Sequence, residues 1–275
     1  MSRLLYADLA RLLKSRLFWF CLLFMAGFEL FACFNQYYEA RRYDTAVVLE
    51  NVFFVFINIF GFIAAAFCSF FMGAEHSDGT LRNKIIVGHK RSHIYLSGFL
   101  TCAAAGLLFA FAAVLAACAA GIPLFGFFEK LSVPDLLLIL LDTALLIGAY
   151  MAVFNLIAWL NSNRTVAAIA SLIGVFALFM AAVFLLNALE APKFVEQITV
   201  IDGQMKSSTV ANPRYLSGSA RTFYQFLVDL LPTGQSITLS ALQVVHPKLM
   251  ALCSAAIIAA ANLAGIFFFR RKNLK

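Results

Sequence analysis

The sequence predicts an all-α integral membrane protein: six transmembrane helices in one bundle, preceded by an amphipathic helix. Three observations carry that expectation. Of 275 residues, 63% are hydrophobic and only 13% charged, too little polar surface for a domain that must face water. The apolar residues are gathered into separate runs, each near the roughly 20 residues that cross a ~30 Å hydrocarbon core at 1.5 Å per residue. The runs also lack the two-residue alternation of barrel strands, so helices are the structures that satisfy their backbone in lipid.

Residues 1–16 place Leu5, Leu9, Leu12 and Leu13 on one helical face and Arg3, Arg11 and Lys14 on the other, the pattern of a helix lying on a membrane surface. The first span follows at 17–34. Its basic lead-in and Leu30-Phe31-Ala32-Cys33 imitate a lipoprotein signal. Against that, Glu29 interrupts the apolar run, Phe31 is too bulky beside a cleavage site, and five more spans follow. A polar loop, 35–50, leads to the second span at 51–73, and a charged segment, 74–93, to the third at 94–120. Pro123, Gly126 and Pro134 are expected to end helices before the fourth span, 135–160. A tight turn, Asn161-Ser162-Asn163-Arg164, opens the fifth span, which ends near Leu189; the sixth, 249–269, is closed by Arg270-Arg271-Lys272.

Orientation follows from the basic residues. Thirteen of the 21 Lys and Arg lie before the first span, in the 74–93 connector, at Arg164 and in the tail from Arg270 to Lys275. The positive-inside rule therefore puts both termini and that connector in the cytoplasm, and 189–248 outside. Within the outer segment, Phe223, Phe226, Leu227, Leu230 and Leu231 recur at helical spacing before Pro232-Thr233-Gly234. A run this short cannot span, so a re-entrant or interfacial helical hairpin turning at Pro232 is expected. No internal repeat marks the inverted halves of a secondary transporter.

The formal charge of +7 flanks apolar runs rather than forming a basic stripe, so nucleic acid is not an expected partner. Cys21, Cys33, Cys68, Cys102, Cys118 and Cys253 lie inside apolar runs without zinc spacing and read as small core residues free of disulfides. No phosphate-cradling loop, no H-E-x-x-H helix and no Ser-His-Asp grouping occurs. His76, His89, His93 and His246 read as solvated polar residues.

The 74–93 connector contains Glu75, Asp78-Gly79-Thr80-Leu81-Arg82-Asn83-Lys84-Ile85-Ile86-Val87-Gly88. Asp78 suits an N-cap, Leu81, Ile85 and Ile86 form a short apolar stripe, and Gly88 suits a helix stop. On physics alone this is either a surface loop carrying topology-setting charge or a docking element for a soluble partner.

With its basic lead-in helix, this connector followed by Ile94-Tyr95-Leu96-Ser97, Leu231-Pro232-Thr233-Gly234 before the last span and a basic tail, the chain resembles the membrane subunits of type-2 ATP-binding-cassette (ABC) exporters. In particular it is similar to permeases of peptide-antibiotic (lantibiotic) immunity and efflux systems. The resemblance implies that residues 1–16 are a cytoplasmic elbow. It also implies that Glu75, Asp78, Gly79, Thr80, Leu81, Arg82, Lys84, Ile85 and Gly88 couple the chain to separate cytoplasmic ABC ATPase subunits. ATP and Mg would then sit on the ATPase and no cofactor on this chain, which would be non-catalytic. A second permease, identical or homologous, and a multi-pass location in a bacterial plasma membrane are likewise implied. A large outer domain, which related permeases use to hold peptide, is missing.

Glu29 and Asp142 lie within spans, at about 2–3.5 kcal/mol each near the bilayer centre. They are candidates for a substrate path, for the relay of an ion-coupled secondary transporter, or for merely wetted acids. Asn58, Asn155 and Asn262 read as interhelical hydrogen-bond partners. The expected function is ATP-driven export of an antimicrobial peptide or other amphipathic compound. The alternatives are the secondary transporter and a non-transporting sensor or assembly factor.

Overall fold

The computed structural model describes residues 1–77, 79–161, 163–201 and 204–271. Its helices are α1 (Ser2–Lys14), α2 (Arg16–Tyr43), α3 (Phe56–Ser77), α4 (Thr80–Ile86), α5 (Arg91–Ala116), α6 (Ile122–Phe125), α7 (Val133–Leu160), α8 (Arg164–Glu190), α9 (Gly218–Leu230), α10 (Pro232–Ser240) and α11 (Pro247–Arg271). A 3-10 turn covers Leu49–Asn51, a π turn at Ala117–Gly121 joins α5 to α6, and antiparallel strands β1 (Phe194–Ile201) and β2 (Gln204–Ala211) lie between α8 and α9. Asp78, Ser162, Lys272 and Lys275 lie outside the described residues.

Among the described residues six helical stretches are long and apolar enough to cross a membrane: Arg16–Tyr43, Leu49–Glu75, Arg91–Phe125, Val133–Leu160, Arg164–Glu190 and Pro247–Arg271. The chain is a multi-pass helical membrane protein. Several helices outrun their apolar runs because nothing in the flanking polar residues stops them. In α2 the stretch after Phe34 contains no Gly or Pro, and the helix closes only at Asp44, in the left-handed conformation at φ 50°. Pro123 does not end the third span as expected. The π turn restarts the helix just ahead of it, and in a first helical turn proline has no hydrogen bond to lose. Gly126, at φ 84°, is the true stop, while Pro134 begins α7 instead of ending a helix.

Two other expectations are corrected. The face of α1 is rotated: Leu4, Asp8 and Leu12 are its buried residues, Leu13 is 56% exposed, and an acid therefore sits on the inward stripe. The segment between the fifth and sixth spans, expected to form a helical hairpin, is not purely helical. β1 and β2 pair in register from Phe194 with Ala211 to Ile201 with Gln204. The sequence signal for this hairpin is the pair Asp202-Gly203 after the β-branched run Ile198-Thr199-Val200-Ile201.

Helix α7 is the hub, packing on α11, α3, α5, α10 and α8. Lipid offers no hydrophobic drive for helices to associate, so close packing at small residues supplies much of the attraction. Gly61 lies under Tyr150, and Gly265 lies directly against the Tyr95 ring. Tyr95 is fully buried, with its ring 6.0 Å from that of Trp159, and it has no room to retreat. Gly265→Ala is expected to lower stability by about 1–3 kcal/mol through overpacking. Gly174→Ala, where an added methyl meets nothing, should be near neutral; thermal unfolding of the two variants in one detergent checks the difference.

Helix α10 is polar in sequence yet mostly buried, and hydrogen bonds explain how. Thr233 Oγ1 donates to the Leu178 carbonyl (2.8 Å), Ser236 Oγ meets Tyr150 Oη (2.8 Å), Ser254 Oγ donates to Gln235 Oε1 (2.7 Å) and Asn58 Nδ2 donates to Ser240 Oγ (2.8 Å). Satisfied in this way, the polar groups bolt α10 between α3, α7 and α8. Asn58 thus bonds across elements as expected. Asn155 likewise shares a side-chain hydrogen bond with Tyr95 of α5, besides accepting from Trp159 of its own helix, whereas Asn262 donates to the Ile258 carbonyl within its own helix. All six cysteines are free.

Candidate coupling site

Between α3 and α5 the chain makes the short helix α4. It starts after Gly79, whose φ of 68° suits glycine, and it has no side-chain cap; the expected cap, Asp78, lies outside the described residues. Its end is well defined. Gly88, at φ 92°, donates to the Ile85 carbonyl (2.9 Å) and His89 N–H donates to the Lys84 carbonyl (3.2 Å), the paired bonds of a Schellman stop. The expected apolar stripe is split between two faces. Leu81 is 4% exposed, Ile85 packs partly against the core, and Ile86 is 80% exposed beside Val87 at 75%. Arg82 and Asn83 are also exposed.

Beneath α4 lies a cluster of two acids and two bases. Glu75 Oε1 is 2.5 Å from Arg11 Nη2 and 2.8 Å from Lys84 Nζ. Lys84 Nζ also reaches Asp8 Oδ1 at 2.7 Å, and Ser97 Oγ donates to Asp8 Oδ2 at 2.6 Å. The Arg11 guanidinium stands 4.3 Å over the Phe71 ring, and Thr80 Oγ1 donates to the Glu75 carbonyl (3.3 Å). Glu75 and Asp8 are buried. Two buried carboxylates so close are tolerable only with their cations in place. The cluster joins α1, α3, α4 and α5 through side chains alone. Arg91, at the start of α5, further donates to the carbonyls of Phe269 (3.3 Å) and Arg270 (3.0 Å), tying the same corner to the end of α11.

Of the residues singled out in the sequence, Glu75, Thr80, Leu81, Lys84 and Ile85 face inward or join this cluster, whereas Arg82 faces outward and Gly79 and Gly88 shape the turns. Asp8, Arg11 and Ser97 complete the cluster and were not among the expected coupling residues. The available signal was Asp8 itself, four residues after Leu4 and four before Leu12, on the inward ladder of an amphipathic helix.

The two intramembrane acids lie apart from this corner. Glu29 is fully buried, with the Phe56 backbone N–H beside its carboxylate and no charged partner among the described residues, and Asp142 is nearly as buried, its Oδ2 without a hydrogen-bond partner among them. Neither reaches solvent by snorkelling, and no hydrogen bond or ion pair links the two. Two further buried acids escaped notice in the sequence. Glu50 Oε1 accepts the backbone N–H groups of Glu129 (2.6 Å), Lys130 (2.5 Å) and Leu131 (3.3 Å), pinning the loop before α7. Asp229 accepts from Gln225 and pairs with His246 Nδ1 at 2.9 Å, so that histidine is half-exposed and partnered rather than simply solvated. Among the described residues no three His, Cys, Asp or Glu side chains converge in a way that could hold a metal ion.

Six membrane-spanning helices, a short helix between the second and third that stops at Gly88, and a charge cluster binding that helix to its neighbours define a multi-pass membrane protein with a built corner at α4. The family model for the ABC-2 family transporter protein matches residues 4–179, which include the whole cluster, and the chain belongs to that family. No curated protein matches the chain in sequence. Membership makes it a transmembrane subunit of an ABC transporter, a class of subunit that is generally non-catalytic and works with an ABC ATPase.

Proposed function

We propose that the chain is the permease half of an ATP-driven exporter, and that residues 75–88 receive the movement of a separate cytoplasmic ATPase. The observation that carries this reading is the cluster of Asp8, Arg11, Glu75 and Lys84: a push on α4 cannot displace it without displacing α1, α3 and α5. ATP and Mg belong to the ATPase. The permease works as a pair with a second copy or a homologue, in a bacterial plasma membrane, with both termini and α4 in the cytoplasm and α1 as an elbow on the lipid surface. Helices α9 and α10 form a re-entrant hairpin. In its support, Ser236 bonds Tyr150, which lies about 15 Å along α7 from Leu160 by helical rise. The cargo is an antimicrobial peptide or similar amphipathic compound of the kind handled by lantibiotic immunity systems, and Glu29 and Asp142 face its path once the bundle opens. The ion-coupled alternative draws no support from the family.

Reconstitution tests this reading. Vesicles holding the permease and its ATPase should export an amphipathic peptide on ATP, and vesicles holding the permease alone should not. Glu29→Gln and Asp142→Asn should insert and melt like the parent but slow ATP-driven flux by about tenfold or more, about 1.4 kcal/mol on the barrier. Flux on an ion gradient without ATPase would overturn the proposal, and full flux in both variants would remove the acids from the path.

A further inference from the structure

A crevice of about 380 Å³ opens where α1 turns into α2, lined by Arg11, Lys14, Ser15, Leu17, Phe70 and Phe71 among others. Its size falls in the range of roughly 300–1,000 Å³ typical of small-molecule sites. One wall is cationic. Lys14 is exposed and makes no ion pair among the described residues, and the Arg11 side chain, paired with Glu75 through Nη2, stays 31% exposed. The opposite wall is apolar, and it belongs to the spans themselves: Leu17 lies in the first turn of α2, and Phe70 and Phe71 lie in the last turns of α3, with Phe70 41% exposed. The neighbouring Trp19, 49% exposed, donates its indole N–H to the Leu13 carbonyl at 2.8 Å across the α1–α2 turn, as an interfacial tryptophan does. Cations at headgroup level above an apolar wall match a molecule with a phosphate at one end and acyl chain at the other. A soluble anion would leave the phenyl wall unused, and a protein surface would have to enter past the end of the span.

We propose that this crevice binds the phosphate headgroup of an anionic phospholipid from the leaflet at the α1 end of the bundle. Because Arg11 also belongs to the charge cluster, bound lipid phosphate would share its guanidinium with Glu75 and so bias the joint beneath α4. The site stands on its own observations and does not depend on an ATPase being bound.

The test uses the full chain purified in detergent and titrated with phosphatidylglycerol or phosphatidylcholine, with retained lipid counted by native mass spectrometry. The parent should retain phosphatidylglycerol in preference to phosphatidylcholine. Lys14→Ala should weaken that retention about fivefold, the worth of one basic residue at an anionic surface. Lys14→Glu should abolish the preference, Lys14→Arg should keep it, and Lys90→Ala, at an exposed lysine outside the crevice, should leave it unchanged. Lys14 is exposed, so unaltered thermal unfolding of each variant is expected and is measured alongside. Equal retention of the two lipids by the parent, or an unchanged preference in Lys14→Glu, would overturn the proposal. So would displacement of the lipid by millimolar inorganic phosphate, which would make the crevice a soluble-anion site, or a Lys14→Glu variant that loses only its ATPase, which would make it a protein contact.

Discussion

Lys84→Met is expected to cost the folded chain about 3–5 kcal/mol, the usual penalty for removing one partner of a buried charge pair. Among the described residues Lys84 is the only cation that reaches both Asp8 (2.7 Å) and Glu75 (2.8 Å). Without it, Asp8 keeps only the Ser97 hydroxyl among the described residues, and two buried carboxylates are left with Arg11 as their one cation there. The decisive comparison is the double variant. Adding Asp8→Asn removes the stranded charge and leaves one balanced pair, Arg11 with Glu75, so Asp8→Asn/Lys84→Met should regain most of the loss. Thermal unfolding of the four proteins forms a double-mutant cycle, with a coupling of about 1–3 kcal/mol expected for residues in one network. A Lys84→Met protein that melts like the parent, or a double variant no better than the single, would show that the cluster does not hold the corner together.

The second large effect is expected on the outward face of α4. Ile86 and Val87 are apolar, adjacent and 75–80% exposed, which is unfavourable for a helix facing only water and suits one covered by a partner. Ile86→Asp with Val87→Asp would bury unpaired charge in that contact and should weaken ATPase association by about a hundredfold, about 3 kcal/mol. Insertion and melting should stay as in the parent. The inward residue behaves differently: Leu81→Asp should damage the permease itself, because Leu81 is packed into its own bundle. Co-purification of each variant with the ATPase separates the cases. A doubly substituted permease that still holds a fully active ATPase would rule out this face as the contact.

The cluster also shows how much of this corner is legible in the sequence. Glu75, Thr80 and Lys84 lie in the conspicuous charged connector and were legible from it. Their partners Asp8, Arg11 and Ser97 lie in other elements, and no local pattern announces which acid will meet which base. In the sequence Leu81, Ile85 and Ile86 form one stripe, but in a helix as short as α4 neighbouring tertiary contacts set the rotation. Here the anchoring of Lys84 beneath the helix turns Leu81 inward and Ile86 out.

The β-hairpin and the burial of α10 were hidden for a related reason. A two-stranded hairpin is marginal by itself, and its strands carry too few apolar residues to stand out beside five preceding spans. A polar helix such as Pro232–Ser240 has no hydrophobic signature at all; it is buried because Tyr150, Leu178, Ser254 and Asn58 offer it hydrogen bonds from four different positions.

What the sequence determined by itself was the solvent, the secondary structure of the spans and their number, because the length of an apolar run and the need to satisfy a backbone in lipid are local properties. It also determined the stop at Gly88, since only glycine sits readily at that φ. Tertiary structure alone decided which charges are paired, which face of α4 is left uncovered, and where Pro123 and the two strands fall. Asp8 and Lys84 are 76 residues apart, and they meet only after α1 and α4 have been carried to the same end of the bundle by helices whose own formation makes no reference to either charge.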